Sequence, residues 1–355
     1  MAAAGRIAGP EWKRYADPAT ELEVVRLTDP AFSSGMTAPH LRQFTRRGES
    51  LLYWSERYSA DSPGARQAFF IDLKKGESRQ LTQAPALDPF SLSLSPDERS
   101  FVFFDGRSLY ESPLTSAAPR QIHLVPESAV RSGLTVGTDG AVLFSEREKG
   151  RSRIFSVLRR QSRPIADTDR EIEEVMARPR HTQILYRTNR GSPVENQESP
   201  FWLVNGDGSG NRQLKTEPGR TGSALWIPSG RTFVYLHIPE DQKELITLRE
   251  YAPDDDSDKL LAKTSQFISA SPNADASVFT GASRSRATAY VLILLRVARR
   301  ELTLCEHRAS DPAIVQPVFS PDSQSVLFVS DRHGKPALYQ VHVGRFVEET
   351  TTDPQ

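Results

Sequence analysis

The sequence predicts an all-β chain folded as a seven-bladed β-propeller of four-stranded antiparallel blades, and three observations carry that expectation. An apolar strand, a tight polar turn and a second, strongly β-forming strand recur seven times along the chain. The copies follow one another at roughly 40 to 50 residues, the period of a propeller blade. The 25 Pro and 21 Gly among 355 residues, with a hydrophobic fraction of 37%, suit many short strands joined by turns.

In chain order, residues 1–19 read as an N-terminal tail, and Met1–Pro10 holds no continuous apolar stretch of the kind a secretory signal needs. Glu23–Thr28 then reads as a fourth strand that arrives before any blade has begun. The first paired strands are Gln43–Trp54 around Arg47 and Gly48, followed by a third strand, Ala68–Leu73, and a fourth, Ser78–Thr82. Later copies are Leu92–Phe104 and Val318–Val329, both built on Ser-Pro-Asp turns, with weaker ones at Leu134–Ser145, Met176–Thr188, Leu225–Leu236 and Ile268–Gly281. A single domain therefore spans residues 20–350, with residues 351–355 as a C-terminal tail.

A lone four-stranded sheet has two faces to cover, which stacking around a ring achieves. The ring must also be closed, or its end blades keep open edges. Glu23–Thr28 could close it beside Ala337–Val343, and Phe346–Glu349 competes for the same place. Rival folds fit less well: the intervals between strands are too short and turn-rich for the helices of a Rossmann fold, and no Gly-x-Ser-x-Gly elbow marks a hydrolase.

Lys plus Arg equals Asp plus Glu at 45 each, so no global field draws the chain to nucleic acid or to an anionic membrane, and neither is expected as a partner. The single cysteine, Cys305, excludes an internal disulfide and a cysteine-based zinc site. The strongest apolar run, Ala289–Leu295, is too short to cross a bilayer. A soluble, cytoplasmic protein is the expectation.

The Ser-Pro-Asp repeat is similar to that of TolB-type propellers, a likeness of architecture. Thr20–Thr28, Phe201–Ser209, Leu225–Gly230, Val326–Asp331 and Pro336–Tyr339 narrow it: they resemble, in the same order, stretches of the oligogalacturonate lyases. The resemblance implies β-elimination on galacturonate oligomers in pectin breakdown, with a manganese ion held on the propeller axis mainly by histidines and a further histidine as base. The family's metal-ligand positions fall here on Ser223, Asp311, Ile314 and Gln316, and its base falls on Glu174, ahead of Arg178 and Pro179. None of these is a histidine, so no cofactor is expected and catalysis is expected to be lost or altered.

Of the remaining histidines, His123, His307 and His342 fall in or near outer strands, His181 and His333 in turns, and His237 at the end of a second strand. Only His40 is placed to reach the axis. Glu174 could serve as a carboxylate base if burial raised its pKa, and Arg42 or Arg178 could clamp a substrate carboxylate in place of the metal, with His40 and Gln316 as further axial contacts. Against this, Glu171, Glu173 and Glu174 could form a solvated acidic edge. Trp202 and Trp226 could stack on a sugar but suit blade packing, and Asn205–Asn211 and Asp254–Asp258 read as turns rather than cation loops. Two functions follow: a divergent lyase for uronic-acid oligosaccharides, or a non-catalytic propeller that binds an acidic glycan or a protein partner.

Overall fold

The computed structural model describes residues 5–57, 64–116, 118–189, 199–239, 241, 243–264, 266–285 and 287–346. They form seven antiparallel sheets, five of four strands and two of five, arranged as the seven blades of a propeller. The innermost strands are Ser34–Gly35, Ser93–Leu94, Val130–Val136, Glu171–Ala177, Arg220–Trp226, Ser271–Pro272 and Val318–Phe319, which number the blades from 1 to 7. Short 3₁₀ turns at Pro89–Ser91, Pro312–Ile314 and Gly344–Phe346 are the helical elements among the described residues.

The second strand of each blade has neighbours on both faces and is accordingly apolar. Every residue of Val278–Ala282 and Ser325–Ser330 is buried. The core is divided among the seven blade interfaces. Phe101 and Phe103 of blade 2 pack against Leu52 and Ala68 of blade 1, and Phe201 and Leu203 of blade 4 pack against Phe233 and Tyr235 of blade 5. The apolar run read as too short for a bilayer is the third strand of blade 6, Tyr290–Leu295.

The Ser-Pro-Asp motif is explained by its turn. Ser95 Oγ accepts from Ser100 N at 3.0 Å, and Asp97 accepts from Arg99 N at 3.1 Å. Ser320 and Asp322 repeat both bonds, to Ser325 N at 3.0 Å and Gln324 N at 3.1 Å. Side-chain oxygens thus replace the strand hydrogen bonds that the chain gives up at the reversal.

Glu23–Arg26 closes the ring, pairing with the third strand of blade 7 through Val24–Val341 and Arg26–Tyr339. Of the competing segment, Phe346 belongs to a 3₁₀ turn and residues 347–349 lie outside the described residues. The stretch expected to be an N-terminal tail also contributes strands. Ile7–Ala8 extends the outer edge of blade 1 along Ser78–Gln80, and Lys13–Ala16 extends blade 7 along Glu23–Arg26. Residues 5–16 therefore strap the seam between first and last blade, fixed by Glu11, which accepts from Asp29 N at 2.8 Å and pairs with Arg57.

Candidate functional site

The inner strand of blade 1 is interrupted. Ser34–Gly35 pairs with Trp54 and Ser55, the chain leaves the sheet, and it returns where Gln43 O accepts from Leu52 N at 2.7 Å. His40 lies in the intervening loop, with Nε2 2.9 Å from the carbonyl of Leu134 in blade 3. A carbonyl can only accept, so Nε2 carries a proton and Nδ1 is left facing the Glu174 carboxylate at 3.6 Å. A neutral imidazole would oppose its lone pair to that carboxylate.

Glu174 reaches this position through a bulge. The inner strand of blade 4 slips register between Ile172 and Glu174, and the inner strands of blades 3 and 5 slip at the matching level, between Ser132 and Leu134 and between Thr221 and Ala224. Such bulges bend a strand and re-aim its side chains. The slip pairs Glu174 with Arg187 across the sheet. Arg187 lies 3.4 Å from carboxylate oxygens of both Glu173 and Glu174, and it donates to the carbonyls of Thr221 at 3.2 Å and Gly222 at 2.9 Å in blade 5. The second carboxylate oxygen of Glu174 is buried and has no hydrogen bond among the described residues. The Glu173 carboxylate is more exposed and accepts from Asn189, so only part of the expected acidic edge is solvated.

The structure thus brings together two of the residues singled out from sequence, His40 and Glu174, and adds Arg187. Sequence reading passed over Arg187. Its signal was a basic side chain directly after the apolar Ile184, Leu185 and Tyr186 in the second strand Ile184–Asn189, but its partner depends on the bulge.

Arg178, expected as an axial carboxylate clamp, is instead a structural residue. Its side chain is 1% exposed; it donates to Gly230 O at 2.7 Å and to Gln183 at 2.6 Å, and it grips both carboxylate oxygens of Asp254, one at 2.8 Å and the other at 2.5 Å. The guanidinium beside Asp254 holds that carboxyl below the usual range. The acidic turn after it is a counter-ion hub more than a solvated loop: Asp256 pairs with Arg212 and Lys215, and Asp258 with Arg249. Trp226 packs edge-on to Phe233 under the Arg178 guanidinium, and Trp202 stacks with Tyr186, both as packing residues. Asn205–Asn211 is a hairpin turn in which Asp207 accepts from Ser209 N at 2.9 Å.

The residues at the positions that the resemblance implies for metal ligands do not suit manganese. Ile314 is apolar and packs against the cores on both sides of blade 7, Asp311 caps the 3₁₀ turn by accepting from Ala313 N at 3.0 Å, and Ser223 and Gln316 offer neutral oxygens only. No group of three His, Cys, Asp or Glu side chains among the described residues is arranged to hold a metal ion. His307 and His237 are engaged inside the fold: His307 Nδ1 accepts from Ala309 N at 3.0 Å, and His237 Nε2 lies 2.8 Å from Pro218 O.

Arg42 occupies a different level of the axis. With Gln43, Arg46 and Glu98 it lines a cavity of about 690 Å³ framed by turn residues of six blades, among them Ser95, Thr138, Pro179, Pro228 and Pro321. Burial, reinforced by the like charge of Arg46, lowers its pKa.

Comparison with known proteins gives a consistent answer. The chain is 22% identical to an oligogalacturonide lyase of Pectobacterium atrosepticum, over 93% of this chain and 95% of the relative. It is 23% identical to an oligogalacturonate lyase of Dickeya dadantii, again over 93% and 95%. A structure of an oligogalacturonate lyase in complex with manganese superposes with a TM-score of 0.86 at 22% identity, covering 96% of this chain and 98% of that one. The oligogalacturonate lyase of Vibrio parahaemolyticus gives 0.87 at 21% identity, covering 98% and 100%. No protein-family model matches the chain.

Proposed function

With similarity to the oligogalacturonate lyases along nearly the whole chain as the premise, we propose that this propeller acts on uronic-acid oligosaccharides through an altered, metal-independent centre formed by Glu174, His40 and Arg187. The observation that carries the reading is the state of Glu174. It falls where the resemblance implies the base, with one oxygen 3.6 Å from His40 and the other buried, free of hydrogen bonds among the described residues and 3.4 Å from Arg187. In β-elimination the carboxylate takes the proton from the carbon beside the sugar's own carboxylate, a carbon–carbon double bond forms, and the bond to the leaving sugar's oxygen breaks. That oxygen takes up the proton that Glu174 has removed, which restores the carboxylate. Arg187 offers positive charge beside the carbanion-like transition state, where it is most effective in a site that excludes water, and His40 holds the Glu174 carboxylate in place.

The test is the ultraviolet absorbance of the unsaturated product from saturated and unsaturated oligogalacturonates, with and without chelator and with added manganese. Turnover that persists in chelator and falls at least about 100-fold in Glu174→Gln is expected. Turnover that appears only with manganese removes the metal-independent centre. Absence of both product and saturable binding across the panel removes the reading altogether.

A further inference from the structure

The cavity framed by the inner-strand turns lies beyond the level of His40 and Glu174. Glu174 precedes its own turn, Arg178–His181, whereas Pro179 and Arg180 of that turn line the cavity wall. Its charged lining consists of Arg42, Arg46, Arg180 and Glu98. Glu98 is already engaged, accepting from Arg46 N at 2.6 Å with Arg46 Nε 3.7 Å away. Arg46 in turn donates to Pro96 O at 2.6 Å. Three positive charges against one negative leave the cavity with an excess of two.

Arg42 and Arg180 are both without a carboxylate partner among the described residues, and Arg42 is the one that is half-buried. Among the described residues its guanidinium has no hydrogen bond and no ion pair; Arg46 and Glu98 act on it only at a distance. A half-buried guanidinium without an acceptor is costly, and its fork of donors fits an oxyanion. Beside it the buried amide oxygen of Gln43 is an acceptor with no hydrogen bond among the described residues, so the donors on this side of the cavity are those of Arg42. A guanidinium short of acceptors, lining a concave space whose charged lining is mostly arginine, is a donor placed for an anion.

We propose that this turn-side cavity is an oxyanion-binding site, in which Arg42 holds a carboxylate or phosphate group of a small solute and Arg46 and Arg180 supply rim charge.

The site is tested by thermal melting and calorimetry with inorganic phosphate and, separately, galacturonate monomer, on the wild-type protein and on Arg42→Met, Arg42→Lys and Arg14→Gln. Arg14 belongs to an exposed pair with Glu23 and controls for loss of a charge elsewhere. Saturable binding of at least one anion is expected, weakened at least tenfold in Arg42→Met, weakened less in Arg42→Lys and unchanged in Arg14→Gln. Preference between the two anions identifies the source of the oxyanion. Without added anion, Arg42→Met is expected to melt no lower than wild type, because an unpaired half-buried charge has been removed. No saturable binding of either anion, equal weakening in Arg14→Gln, or full affinity in Arg42→Met would each overturn the site. Elimination is measured separately, so the lyase reading can stand or fall independently.

Discussion

Arg178 and His307 show how far a side chain's surroundings decide its role. An Arg-Pro turn next to the axis suggests a substrate clamp, yet the Arg178 guanidinium is a buried strut between blades 4 and 5. Arg178→Ala should cost about 3 kcal/mol in urea denaturation, through the void and the unpaired carbonyl of Gly230. His307 is fully buried, and burial pushes its pKa from 6.5 down to about 4. Between those values the unfolded chain takes up a proton that the folded chain refuses. The stability linked to His307 is therefore complete above about pH 6.5 and is lost as pH falls toward 4, by roughly 3 kcal/mol. Denaturation at stepped pH should show this slope, and a folded His307→Gln variant should lack it. The pairing of Glu174 with Arg187 escaped the sequence because a one-residue slip in the inner strand has no compositional mark.

Turns and strands differ in how plainly the chain writes them. The Ser-Pro-Asp turns were legible because the hydrogen bonds that close them run between residues no more than five apart, as from Ser100 N to Ser95 Oγ. Ile7–Ala8 and Lys13–Ala16 were not, because strands so short carry no periodicity and are fixed by partners supplied by the rest of the ring. The turn glycines make a graded test. A Cβ at Gly230, where φ is +72°, would lie 2.0 Å from Pro179 O, so Gly230→Ala should destabilise by more than about 3 kcal/mol or prevent folding. Gly140 has a φ of +84° but nothing within 4 Å of the added atom. Gly140→Ala should cost only about 1 kcal/mol, from backbone strain alone. Chemical denaturation of the two variants checks the contrast.

The molecule as a whole is a ring whose stability is distributed among blade interfaces and whose continuity depends on one seam. The number of blades was legible from the repeat, and so was Glu23–Thr28 as a candidate closing strand; the strap over the seam was not. Val24 is fully buried there. Val24→Asp, which places a charge inside the closure, should abolish cooperative unfolding or soluble expression, whereas Arg14→Gln, on the exposed outer strand, should leave the melting curve nearly unchanged.

The pairing of Val24 with Val341 also governs the order of events during synthesis. The first partner leaves the ribosome well before the second, by an interval of roughly 15 to 60 seconds at about 5 to 20 residues per second. Throughout it the nascent amino-terminal strand has an unsatisfied edge. The final lock forms only after translation has delivered the last blade, so a polypeptide stalled before that point is left as an open arc, prone to stick to its neighbours.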